Sequence, residues 1–172
     1  MKETIKQYTK RILGYIGNGR PLAVQRATAA KLARLTRGLS RKQLFKKPAP
    51  GKWSIGEILA HLAEGEVVIG YRYRMMLSAS GGPIQAYDQN AWARNSRYER
   101  MDPRQSLAAF RELRALNVAL LERLTPAQRK RYGVHSERGK ESVEYFTRMI
   151  AGHDLNHLGQ IQAIRRKLRG RR

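Results

Sequence analysis

An all-α four-helix bundle is the architecture this sequence predicts, on three observations. Helix start and stop signals recur along the chain and divide it into segments. Within those segments apolar residues return at intervals of three and four, the signature of one buried helical face. No stretch alternates in the manner that predicts a strand. At 172 residues the chain has the size of one ordinary domain, so a single domain over 1–172 with one core is expected, ending in a basic tail at about 169–172.

The first helix is expected over roughly Glu3 to Ile16, stopped by Gly17-Asn18-Gly19. Pro21 suits a first helical position, and Leu22, Val24, Ala29, Leu32 and Leu35 carry the next helix to Thr36 and Gly38. Ser40-Arg41-Lys42-Gln43 has the form of a capping box for a short helical turn, whereas Pro48-Ala49-Pro50-Gly51 forces a loop. Ser54-Ile55-Gly56-Glu57 is a second capping box. It opens a long helix to about Ser78, with Ile58, Leu62, Gly65, Ile69 and Met76 inward, and Gly81-Gly82-Pro83 breaks it. The segment IQAYDQNAWARNSRYER has no clean period and is expected to be a long ordered loop with room for a helical turn. Asp102-Pro103 starts the next helix through Leu107, Phe110, Leu113, Leu120, Leu121 and Leu124. Thr125-Pro126-Ala127-Gln128 starts a short one, and VHSERGKES is expected to be a loop. The last helix runs from about Ser142 to Leu168. Val143, Phe146, Ile150, His153, His157, Ile161, Ile164 and Leu168 form one stripe along it.

Charge is the outlying property. The chain carries 35 Lys and Arg against 13 Asp and Glu, a net charge of +22. Residues 1–50 hold 13 basic and 1 acidic side chains, while 51–100 hold 6 and 5. Such a field attracts polyanions in a salt-dependent, non-specific way. Both a natural basic surface and a deliberate surface recharging fit this distribution. There is no recognition-helix signature, zinc-finger pattern or aromatic stacking set. The absence of cysteine excludes disulfides, thiolate ligands and a protein-borne sulfur nucleophile. Charges interrupt the apolar residues at the start of the chain, so neither a signal peptide nor a membrane span is expected, and a cytoplasmic location fits.

The candidate chemistry lies in the histidines. His153 and His157 are one turn apart on the apolar stripe, so their rings project to the same side. His61 falls on the inner face of the second long helix, between Ile58, Leu62 and Gly65, and only His135, in the expected loop, lies elsewhere. A lone inward histidine is more often a hydrogen-bonded core residue. Three of them on two helices point to a divalent metal, because burying several imidazoles without partners is costly. Three imidazoles with no evident fourth protein ligand describe an open site. Zinc, nickel, cobalt, iron and copper all suit imidazole, with zinc or nickel the expected occupant.

The segments GKWSIGEILAHLAEGE, YDQNAW and MIAGHDLNHLGQI resemble the DinB-like superfamily, including its metal-dependent YfiT-like proteins and thiol S-transferases, over nearly the whole chain. The resemblance maps one metal histidine onto His61, after Trp53 and Glu57, and the HxxxH pair onto His153 and His157. It implies a DinB-like four-helix bundle with a divalent metal, often as a homodimer. In some branches a low-molecular-weight thiol is the cosubstrate.

Around this core several side chains have two readings. Glu57 could orient His61, although its capping-box position is the plainer account. Gln160, three residues after His157, could line the same cavity. Asp154 points about 100° away from His153 and reads as half of a surface pair. Arg72 lies about 16 Å along the helix from His61, as an anion contact or a solvated residue. Tyr87, Asp88 and Trp92 are either pocket walls or loop anchors. Arg114 and Asn117 interrupt an apolar face, to serve a substrate carboxylate or to meet solvent. The expected function is a metal-dependent transferase joining a small thiol to an electrophile. The alternatives are a hydrolase on the same site, a basic helical protein that binds polyanions, and a vestigial bundle with a structural metal or none.

Overall fold

The computed structural model describes residues Glu3 to Arg169, so the expected tail lies outside the described residues apart from the backbone of Arg169. The elements are α1 (Ile5–Ile16), α2 (Pro21–Thr36), α3 (Arg41–Leu44), α4 (Ile55–Ser78), β1 (Pro83–Ile84) and α5 (Gln89–Asn95). A 3-10 turn (Tyr98–Arg100), α6 (Pro103–Glu122), α7 (Pro126–Lys130), β2 (Tyr132–His135), β3 (Gly139–Ser142) and α8 (Val143–Arg169) follow. The expected caps form. Ser40, Ser54 and Thr125 each accept from the backbone three residues on and receive the reciprocal Gln or Glu, and Asp102 caps α6 ahead of Pro103.

Helices α2, α4, α6 and α8 form the four-helix bundle, α4 packing mainly on α6 and α2 on α8, and α1 lies along α8. That last contact depends on Gly152. A Cβ there would stand 2.1 Å from the carbonyl oxygen of Ile12, so only glycine lets α1 approach so closely.

The core divides in two. One apolar cluster contains Leu32, Leu62, Phe110 and Leu158, and the other contains Ile69, Tyr73, Leu121 and Ile150, with Leu22 packed against it. Each long helix passes from one cluster to the other through buried polar residues, namely Gln25 and Thr28, Glu66, Arg114 and Asn117, and Asp154. This layer corrects two expectations. Asp154 is fully buried rather than half of a surface pair, and Arg114 and Asn117 are inside the bundle rather than facing solvent. Arg114 donates to both oxygens of Asp154 and, at 2.7 Å, to Glu66. Asn117 donates to Glu66 at 3.1 Å, and Thr28 donates to Asp154 at 2.9 Å. One guanidinium therefore joins α4, α6 and α8, and Thr28 brings in α2. Satisfying both carboxylates this way lowers the cost of burying the charges, while Arg114 Nε has no partner among the described residues.

The expectation of no strands is overturned. VHSERGKES, expected to be a loop, belongs to a hairpin in which β2 runs antiparallel to β3, Tyr132 opposite Ser142 and His135 opposite Gly139. β1 adds in parallel, with Pro83 opposite Val134. Strands of two to four residues carry too little alternation to register in a sequence, and their pairing is a long-range event. His135 consequently lies buried in a strand. The segment expected to be one long loop is broken into β1, α5 and the 3-10 turn, with Asp88 capping α5 through the backbone N–H groups of Asn90 and Ala91.

Candidate metal centre

His61 is held on α4 and His153 and His157 on α8, and the packing of these helices brings the three rings together. The Nε2 of His153 lies 3.2 Å from that of His61 and 3.1 Å from that of His157. Such spacings match the edge of a tetrahedron whose ligands stand about 2 Å from a central ion. The three ligand nitrogens all lie within 4.8 Å of one another.

The electrostatics agree with that geometry. Burial, helped by neighbouring His157, pushes His61 down to about 3, and burial pushes His157 down to about 4. His153 is also held well below its ordinary value, first by burial and then by the other two imidazoles and Arg114. All three are neutral at pH 7 and present lone pairs, as metal ligands must. Nδ1 of His157 donates to Oε1 of Gln160 at 2.9 Å, which leaves its Nε2 free to ligate. Neutral lone pairs converging at close range without a shared proton for each pair are best satisfied by a cation, so the residues fit a divalent metal.

The surroundings sort the remaining candidates. Glu57 completes the capping box, its carboxylate accepting from Ser54 N–H at 2.7 Å and pairing with Lys47 at 3.1 Å. It holds the end of α4 rather than His61. Trp53, which the sequence placed only as part of the motif, packs on His61 with ring centroids 4.8 Å apart. Tyr98 backs Trp53 at 6.3 Å and donates to Glu64 at 2.7 Å. Arg72 is buried, donates to the carbonyl of Gln85 at 2.6 Å and lies 5.7 Å from the Tyr87 ring, so it ties down the loop and is not a solvated residue. Tyr87 and Trp92 stack on each other at 4.6 Å.

A cleft of about 540 Å³ opens beside His157. His157, Trp53, Ile58 and Ile164 line it, with Gln89, Asn90, Asn156 and Gln160 as polar groups, Arg11, Lys52 and Lys167 as cations and Glu3 as a carboxylate. Tyr87, Asp88 and Trp92 are not among the lining residues, while their neighbours Gln89 and Asn90 are. Sequence reasoning missed the contribution of α1. Arg11 crosses to donate to Asn156 at 3.0 Å and pairs with Glu3 at 2.8 Å, and no local signal announces that packing.

This arrangement defines a helical bundle with a three-histidine cluster able to hold a metal ion, and comparison with known proteins identifies its family. Residues 25–161 match the DinB superfamily, and the chain belongs to it. It is 28% identical over 141 residues to a Bacillus subtilis protein named "Putative metal-dependent hydrolase YfiT", covering 81% of this chain and 79% of that one. It is 26% identical over 138 residues to a similarly named protein, OB0413, of Oceanobacillus iheyensis, covering 77% and 76%. The solved YfiT structure, described as having an unusual four-helix bundle topology, superposes with a TM-score of 0.81 at 24% identity, covering 97% of this chain and 90% of that one. A mycothiol-dependent maleylpyruvate isomerase shares the fold at a TM-score of 0.62 and 9% identity, covering 78% of this chain and 56% of its own. Among the described residues no helix is long and apolar enough to cross a membrane.

Proposed function

We propose that this protein is a divalent-metal-dependent S-transferase that joins a low-molecular-weight thiol to a small electrophile. The observation that carries this reading over the hydrolase is the state of the nearby carboxylates. On α4, Glu57 caps the helix, Glu64 accepts from Tyr98 and Glu66 is committed to Arg114 and Asn117. On α8, Asp154 is committed to Arg114 and Thr28, and Glu3, on the cleft wall, is paired with Arg11. A hydrolase that activates water commonly uses a carboxylate as general base. A thiol is far more acidic than water and has less need of one. The missing cysteine agrees, since the sulfur then arrives with the cosubstrate.

His61, His153 and His157 would hold the ion, zinc or nickel. When bound, it supplies Lewis acidity that lowers the pKa of a coordinated thiol or water. The chain's own residues do the rest. Trp53 covers one face of His61, Gln160 fixes the ring of His157, and the cleft offers apolar walls with amides to orient a small substrate. The names of the relatives favour a second reading, hydrolysis on the same three histidines. The resemblance further suggests a homodimer, and the lack of cysteine fits a cytoplasmic protein.

Metal-loaded protein incubated with a panel of small thiols and a chromogenic electrophile tests the proposal. Thiol-dependent turnover that disappears in His153→Ala supports it. Turnover of activated esters at a rate indifferent to thiol would replace it with the hydrolase.

A further inference from the structure

We propose that one end of the bundle, made by the last turns of α2 and α8, by α3 and by the loop leading to Trp53, is a docking surface for the phosphate backbone of duplex nucleic acid. The sequence alone shows a basic chain. The structure shows where the charge is concentrated and what stands beside it.

No acidic residue occurs between Glu3 and Glu57, and none follows Asp154. These two stretches meet in space. Arg165, on α8, donates to the carbonyls of Leu35 and, at 2.8 Å, Arg34, while Leu168 packs against the cluster containing Leu32. The contact brings the end of α8, with Arg166 and Lys167, to the end of α2, with Arg34 and Arg37, and Leu44 of α3, which follows Arg41 and Lys42, packs against the same cluster as Leu168. Lys46, Lys47 and Lys52 continue the patch to the cleft, where Lys52 and Lys167 both form part of the wall. All nine of these side chains are exposed. Counter-charge is scarce because Glu57, Glu66, Glu141 and Asp154 are buried and Glu3, on the cleft wall, is paired with Arg11. Only Lys47 of the nine has a salt bridge among the described residues, to Glu57.

The chemistry of the surface selects the partner. Among the described residues the exposed large apolar ones are Ile5, Tyr15, Val67, Tyr71, Trp92, Leu116 and Val134, none of which belongs to the patch. A membrane-binding surface normally adds apolar insertion to its charge, and a single-strand binder adds exposed aromatics on which bases stack. Phe45 is half-buried beneath Arg41, at 4.9 Å, and Trp53, next to Lys52, is half-buried against His61. Exposed cations without anchors suit a regular array of phosphates, as a duplex presents, with no sequence readout.

The test is binding of a fluorescent 20-base-pair duplex to the full chain across a salt series. Engagement of about five phosphates predicts an affinity that falls roughly 500-fold between 50 and 200 mM salt. Reversing Arg37→Glu, Lys42→Glu and Lys46→Glu together is expected to reduce affinity at least about 10-fold more than Arg104→Glu, Arg111→Glu and Arg123→Glu on α6 and its C-cap, which change net charge equally. The corresponding glutamine substitutions keep the comparison valid if the patch reversal fails to fold. Equal losses in the two sets, no salt-dependent duplex binding at 50 mM, or binding to anionic phospholipid vesicles without binding to duplex would each overturn the proposal.

Discussion

Replacing Arg114 with methionine tests the polar layer on which the bundle's register depends. The side chains of Glu66 and Asp154 are fully shielded from solvent, and Arg114 is their shared cation. Arg114→Met removes the paired bonds to Asp154, the 2.7 Å bond to Glu66 and a 3.4 Å contact to the carbonyl of Gln25. Two carboxylates are then left in a dry interior. Breaking a buried ion pair from one side typically costs about 3–5 kcal/mol. At about 2 kcal/mol per molar urea for a domain of this size, the unfolding midpoint should fall by about 1.5–2.5 M. Arg114→Met combined with Glu66→Leu and Asp154→Leu should recover most of the loss, because the penalty comes from unpaired charge rather than from lost volume. Urea unfolding of metal-free protein, followed by circular dichroism, is the assay. A single-variant loss below about 1 kcal/mol, or a triple variant no more stable than the single one, would refute the reasoning.

Other substitutions and conditions bear on the site and its supports. Gly152→Ala forces a Cβ to within 2.1 Å of the Ile12 carbonyl oxygen, so urea unfolding should show a loss of about 1–3 kcal/mol as α1 shifts off α8. Unchanged stability would mean that α1 does not pack there. Gln160→Leu removes the acceptor of the His157 N–H and should weaken metal binding about 10- to 100-fold in competition with a chromogenic chelator, while leaving helix content unchanged. Chelator-treated protein should lose stability with acid in a defined window. His61, His157 and His135 fall from an ordinary 6.5 to about 3, 4 and 4. Between those values the unfolded chain binds protons that the folded chain does not, so stability is full above pH about 6.5 and declines as the pH drops toward 4. Unfolding midpoints that stay level across that range would show that these imidazoles are not held neutral.

Much of the fold and of the site was legible because its signals are local. Capping boxes at Ser40, Ser54 and Thr125 mark helix starts within four residues. The apolar stripes of α4 and α8 identified the inward faces, and with them His61, His153 and His157, since helical spacing determines which side chains share a side. The same stripes hid the polar layer. On α6, Arg114 and Asn117 read as an interruption, because nothing near them in sequence indicates that Glu66 and Asp154 wait on other helices. Tyr87 and Trp92 stood out as aromatic, yet Gln89 and Asn90 face the cleft, a choice made by how α5 lies against its neighbours.

By itself the sequence determined the helical class, the boundaries of the long helices and the three inward histidines, all consequences of periodicity and capping over one or two turns. The tertiary structure alone decided that the imidazoles meet at 3.1–3.2 Å, that one arginine joins two buried carboxylates from different helices, that a hairpin precedes α8 and that the basic stretches gather beside the cleft. Each is a contact between residues far apart in the chain. Its energy depends on distance, burial and partner, which become defined only when the helices have packed.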